Sequence, residues 1–405
     1  MRVVAAAAAL PLQDGWKPRR IEALTGIRFV AAMLVLVFHY GASYVNSAGA
    51  PWFVVNFLRH GYLGVSLFFI LSGFILTYTY QGRVCDKWRG AYFFARFARI
   101  YPVYLLALLI AFPVTKQSIE PSDAIRVLTL VQSWAPGSSE QGYAWIMQAW
   151  TLSVEFFFYL IFPFLLPLVL TLRLAPTLAL AGLCCMAMIL FGIPTLAPGS
   201  TVAPTWGAMV ELPLPVLRAV EFMLGMLTCR VITLHQVAAT PLIGNIATSA
   251  VGFAIVSILC LAADPRILGF AMALSSVLLA MLATMDSLIA SFLSTRALVV
   301  LGAASYAMYI VQQPVRNWMY YISDDMAGRL ASPVVTIVVS LAMYFLWERP
   351  ARTWLLAACA RLGRSRSERG QPDRGLVPVA ATDSFEVRKT KALRSTTSLD
   401  AEGNR

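Results

Sequence analysis

Apolar residues run along this chain in blocks, and its charges gather in the short stretches between them. About twenty apolar residues are needed to cross the hydrocarbon layer as a helix, and roughly ten blocks approach that length. They cover approximately 27–46, 61–80, 100–115, 152–172, 176–197, 214–232, 241–262, 267–286, 298–321 and 332–348. The pattern predicts an all-α fold: a polytopic membrane helix bundle of about ten transmembrane helices. The third block is short and predicts an interfacial extension back through Arg96. No internal repeat is visible, which weakens a reading as an inverted-repeat transporter.

Composition supports the bundle. Of 405 residues, 59% are hydrophobic and only 13% charged, far from the balance of a soluble domain. The net charge of +12 raises the question of nucleic acid, but the basic residues lie between apolar blocks and at the C-terminal end. No basic stripe interleaves with exposed aromatics, so no nucleic-acid partner is expected. The bilayer is the expected environment. The six cysteines include no C-x-x-C pair, so neither a disulfide framework nor a zinc site is implied.

Charge placement also predicts topology. Lys17, Arg19, Arg20, Arg83, Lys87, Arg89, Arg96, Arg99, Arg173, Arg230 and Arg296 fall on one side, against a sparser set on the other. The positive-inside rule then makes the first side cytoplasmic and puts both termini there. Residues 1–20 form an expected cytoplasmic lead-in, although their start resembles a weak signal peptide. Residues 21–352 form the expected membrane domain, and 353–405 a basic, disordered cytoplasmic tail near anionic headgroups. The stretch 116–150 is the longest expected external loop.

Ionisable groups inside apolar helices are costly, so each one is a functional candidate. Arg28 and His39 are eleven residues apart. That spacing returns to within about 20° of the same helix direction after a rise of about 16 Å. Alone, Arg28 fits snorkelling to headgroups and His39 fits a hydrogen-bonded structural role. Together on one face they look like a lined path. Arg96 and Arg99, three apart at a helix start, project nearly the same way and can grip a phosphate or pyrophosphate, or simply anchor the helix. Glu155 lies in the first turns of the fourth block, where the helix dipole favours a carboxylate. A second reading has Glu155 orient the His39 imidazole.

Further along, Arg218 and Glu221 stand at i, i+3 and can neutralise each other. Ser305, Tyr306, Tyr309 and Gln312 put polar tips into an apolar helix, and Glu348 and Arg349 precede Pro350 as the last block ends. In the second block, Gly61, Gly64 and Gly73 allow close helix approach, and Ser66 can hydrogen-bond across helices.

In order, RFVAAMLVLVFH, GYLGVSLFFILSGF, RFARIYPVY, WTLSVEFFFY, RAVEFMLG, LGAASYAMYIVQQP and WERP resemble the membrane acyltransferase-3 family, over about residues 20–352. These are bacterial integral-membrane O-acyltransferases. The resemblance implies an inner-membrane enzyme with no permanently bound cofactor, an acyl-CoA donor entering from the cytoplasm, and an acceptor hydroxyl on a carbohydrate or glycolipid. It makes Arg28 and His39 the essential pair of the first helix, Arg96 and Arg99 the cytoplasmic pair, and Glu155 the acid of its block. Gln312 stands where many relatives carry histidine, so it supplies at most hydrogen bonds, and Ser66 stands where an aspartate is frequent.

Acyl transfer from a thioester to an alcohol needs a base, held substrates and oxyanion stabilisation. His39 and Glu155 are the expected catalytic residues, His39 as general base or, in a variant, as the acyl acceptor. Arg28, Arg96 and Arg99 are the expected donor-binding residues, and Arg218, Tyr309 and Gln312 the expected substrate-binding ones. Acetyl is the default acyl group. The membrane part is expected to complete the transfer or hand the acyl group to a partner. No serine-esterase or metalloprotease motif is present, so no metal is expected. The rival reading is a transporter or flippase for a glycolipid or polyol, with no bond made.

Overall fold

The computed structural model describes residues 18–47, 49–82, 88–115, 120–134, 145–191, 213–235, 239–323 and 325–368. The lead-in before residue 18, the heart of the 116–150 loop and the tail beyond 368 lie outside these residues.

The first block is a single long helix, α1 (Pro18–Ser47), and it carries both Arg28 and His39. The chain continues through α2 (Trp52–Arg59), a 3₁₀ turn (His60–Tyr62) and α3 (Leu63–Tyr80). Then come α4 (Trp88–Ala111), the short α5 (Pro121–Leu128), α6 (Trp150–Thr171), α7 (Leu174–Phe191) and α8 (Leu214–Leu234). The remainder is α9 (Pro241–Leu261), α10 (Pro265–Thr284), α11 (Leu288–Leu293), α12 (Arg296–Ala303), α13 (Ser305–Ile322) and α14 (Met326–Met343). A π-turn (Tyr344–Glu348) joins α14 to α15 (Arg349–Glu368).

Within the described residues each predicted block is mainly helical, but the blocks are not equivalent. Among the described residues seven helices are long and apolar enough to cross a membrane, or eight if the bent pair α12 and α13 is one span. That pair turns by 60° at Ala304. α7 is shorter. α8 carries Arg218, Glu221 and Arg230, all buried, so its polarity faces other helices. Outward positions are strongly apolar: Leu109 is 71% exposed and Phe253 75%, as a lipid-facing surface requires. The helix after the π-turn runs on to Glu368, past the expected domain boundary at 352.

Without a hydrophobic drive between helices in lipid, small residues set how closely backbones approach. A Cβ on Gly73 would sit 2.1 Å from the Phe222 carbonyl oxygen, and one on Gly225 1.8 Å from that of Ile70. The two glycines let α3 and α8 touch backbone to backbone. Gly61 and Gly64 do the same against α1: a Cβ on either would lie 2.3 Å from the carbonyl oxygen of Leu34 or Ala31. Both contacts imply one antiparallel register, which places Val65 level with Val30 and His39 level with Asn56. Arg230 closes the end of α6, donating from Nη2 to the carbonyls of Leu170 (2.7 Å) and Leu172 (3.0 Å). A cation there suits the negative end of the helix dipole.

Candidate active site

A cavity opens between α1, α3, α4, α6 and the start of α13. α3 supplies an apolar wall that includes Val65, Phe68, Phe69, Ile75 and Leu76. Arg28, Arg96, Arg99, Glu155 and Tyr159 line the polar side, with Ser305, Tyr306 and Tyr309 entering from the break at Ala304. Helix periodicity explains the α4 contribution, because Arg96, Arg99 and Ile100 share a face. Ser305 and Tyr309, four apart, do the same on α13.

Three guanidiniums and one carboxylate on one lining leave a surplus of positive charge in a low-dielectric setting, where an anion is strongly favoured. Arg96 sits among three tyrosine rings, 5.9 Å from Tyr80, 6.0 Å from Tyr92 and 5.7 Å from Tyr159. Aromatic faces stabilise a cation without neutralising it. The Tyr159 hydroxyl donates to Glu155 Oε1. Arg28 lies within electrostatic reach of Arg99, Glu155, Glu348 and Tyr159. All of the expected donor-binding arginines therefore share one chamber.

His39 does not line that chamber. It lies nine residues beyond the level of Val65, roughly 14 Å along the helix axis. The rings of Phe68 and Tyr309, both lining the cavity, meet edge to face at 6.2 Å. Phe68 also packs on the cluster formed by Ala32, Leu36 and Tyr40 of α1 and Met308 of α13. Around His39 the groups are tied together. Arg316 Nη1 donates to the His39 carbonyl at 3.2 Å, and the His39 ring meets Phe38 edge-on at 4.9 Å. The Tyr40 hydroxyl donates to the Gln312 carbonyl and lies 3.0 Å from Thr336 Oγ1.

The expected pairing of Glu155 with His39 is corrected by this geometry. Glu155 bonds to Tyr159 and lines the arginine chamber, whereas at His39 the neighbouring charged group is Arg316, which donates to the His39 carbonyl.

Arg218 and Glu221 do neutralise each other, at 2.7 Å and with both residues 2% exposed. Arg218 also donates to Ser66 Oγ at 3.2 Å and lies over the rings of Phe69 (5.9 Å) and Trp150 (5.6 Å). It stands behind the Phe69 wall and does not line the cavity. Gln312 is 1% exposed and donates to the Tyr309 carbonyl at 3.0 Å, so it too lies outside the lining. Of the expected substrate-binding set, Tyr309 alone reaches the chamber.

The tyrosines around Arg96 escaped the sequence reading. Tyr92 precedes Arg96, and Glu155 precedes Tyr159, at i, i+4, a signal present in the sequence. Tyr80 comes from another helix and leaves no local sign.

The acyltransferase domain family matches residues 21–348. The chain is similar to the acyltransferase MdmB of Streptomyces mycarofaciens, with 31% identity over 228 residues, 51% of this chain and 56% of that protein. It is also similar to the O-acetyltransferase OatA of Staphylococcus aureus, 22% identical over 397 residues, 88% of this chain and 61% of that one. The chain thus spans less than two thirds of the length of these relatives. No solved structure matches it. With its family match running from the start of α1 to the end of the π-turn, and so across every helix that lines the cavity, this chain belongs to the acyltransferase-3 family.

Proposed function

We propose that this protein is a membrane O-acyltransferase that moves an acyl group, acetyl by default, from acyl-CoA to a hydroxyl of a carbohydrate such as an exported polysaccharide or a glycolipid. The observation that carries the reading is the chamber holding Arg28, Arg96, Arg99 and Glu155. Its positive surplus suits an anionic donor, and its apolar α3 wall suits an uncharged arm and acyl end. The names of the two relatives, an acyltransferase and an O-acetyltransferase, support the reaction class. The distribution of Lys and Arg supports a bacterial inner-membrane protein with both termini cytoplasmic.

In this reading Arg96 and Arg99 hold donor phosphates, and Arg28 stands at the outer end of the same path. His39 is the general base. Its imidazole takes the acceptor hydroxyl proton as the oxygen attacks the thioester carbonyl. The tetrahedral intermediate collapses, the C–S bond breaks, and the imidazolium returns its proton to the CoA thiolate. An ester and free CoA result. For the thioester to reach His39, the rings of Phe68 and Tyr309 must separate. Glu155 serves the donor side, taking the Tyr159 hydrogen bond and offsetting the arginine charge.

Membranes carrying the protein, incubated with radiolabelled acetyl-CoA and a sugar acceptor, test this directly. Label transferred to the acceptor supports it. Acceptor movement across the bilayer without label transfer would favour a transporter instead.

A further inference from the structure

A serine or threonine on a buried helix commonly satisfies its hydroxyl on its own backbone. Thr228, Thr248, Ser275 and Ser332, all buried, donate to the carbonyls four residues before them, those of Leu224, Gly244, Ala271 and Gly328. Ser305 is placed differently. The residue four before it, Leu301, belongs to α12, and the 60° turn at Ala304 takes α12 off the axis of α13. Ser305 is 0% exposed, and its Oγ makes no hydrogen bond among the described residues. It lines the chamber, whereas no residue of α12 does. Among the described lining residues, two buried side-chain polar atoms are left without a hydrogen bond, and both can donate: Ser305 Oγ and Arg96 Nε.

The break supplies donors of another kind. α13 starts at Ser305, so the N–H groups of its first turn have no partner within the helix, and its positive dipole end lies beside the chamber that Ser305 and Tyr306 line. The Tyr306 hydroxyl donates to the Ile100 carbonyl at 3.0 Å, which ties this turn to α4 directly after Arg99. A helix N-terminus, a hydroxyl and a guanidinium have one preferred guest in common, an anion with several acceptor oxygens. We propose that the first turn of α13, with Ser305 Oγ, is a phosphate subsite of the chamber and shares one phosphoryl group with Arg96 Nε. That this phosphoryl group is the acyl donor's rests on the transferase reading; the anion site itself does not.

The test is calorimetric titration of the purified full-length protein with two probes, CoA and inorganic pyrophosphate. Both should bind the wild-type protein, and pyrophosphate should displace CoA. Ser305→Ala should weaken each by about tenfold or more, the scale of one hydrogen bond to a charged group. The ligand-free variant should melt no lower than wild type, because its hydroxyl has no bond in the protein to lose. In turnover the KM for acetyl-CoA should rise with kcat little changed. Pyrophosphate that fails to bind the wild-type protein, or binds the variant equally well, would overturn the proposal. So would a fall in kcat at constant KM, which would put the hydroxyl on the reacting carbonyl, or a variant that melts early or fails to fold, which would make it structural. Pyrophosphate binding that depends on Ser305 in a protein that takes up no CoA would leave the anion site standing and remove the transferase reading. Acetyl transfer with pyrophosphate and CoA bound equally by both proteins would do the reverse.

Discussion

Arg96 and Arg218 are the same residue type buried in the same bundle, yet their surroundings differ in kind. Arg218 is closed off: Glu221 pairs with it at 2.7 Å, Ser66 accepts from it, and Phe69 separates it from the cavity. Arg96 faces the cavity, ringed by tyrosines that stabilise a cation without cancelling its charge. An arginine inside a membrane bundle is therefore not evidence of a ligand site by itself. What separates the two is whether neighbouring residues neutralise the cation or leave a charge for an incoming anion.

A second contrast lies along α1. Around Arg28 the bundle is open and charged, whereas around His39 it is tied by hydrogen bonds involving Arg316, Tyr40 and Thr336, with Phe68 and Tyr309 meeting at the chamber wall. In the proposed reaction the donor side is formed in advance and the acceptor side opens before chemistry.

Three variants test these contrasts. The largest effect falls on His39: His39→Ala should lower transfer by about a thousandfold or more, the scale of a lost general base, while melting stays near wild type. A variant with full activity would remove the proposed base. Next, Glu221→Gln leaves Arg218 buried without its carboxylate and should destabilise the protein by about 3 kcal/mol, with the KM for acyl-CoA moving little. If KM rose sharply instead, Arg218 would belong with the cavity arginines. Last, replacing Arg96 and Arg99 together by Gln should raise the KM for acyl-CoA by about a hundredfold, the loss of two charge-assisted hydrogen bonds, with less effect on kcat. An unchanged donor dependence would dissolve the distinction between Arg96 and Arg218.

Much of this was legible in the residues. Apolar blocks located the long helices of the bundle, but not the polar α15, because lipid leaves the backbone no other way to satisfy its hydrogen bonds. The i, i+3 spacing of Arg218 and Glu221 announced their ion pair, and that of Arg96 and Arg99 their common face. The break at Ala304 was not read, although Gly302 stands two residues before it, because the apolar run continues around it. The π-turn was not read either, although Pro350 follows it closely, because Pro350 also marks the end of the block. The Tyr159 partner of Glu155 was missed although its i, i+4 spacing is a local signal. Gly61 and Gly64 carry the register of α3 against α1, but it becomes readable only once they are seen against Leu34 and Ala31.

The most direct measurement is a structure of the full-length protein with a non-hydrolysable acetyl-CoA analogue in an acyl-transfer-competent state. The account predicts phosphate oxygens within hydrogen-bond distance of Arg96 and Arg99. It also predicts the acyl end past Arg28, with Phe68 and Tyr309 parted and the carbonyl carbon facing the His39 ring. An analogue bound outside the arginine chamber, or one whose acyl end points away from His39 behind a closed Phe68–Tyr309 pair, would contradict it.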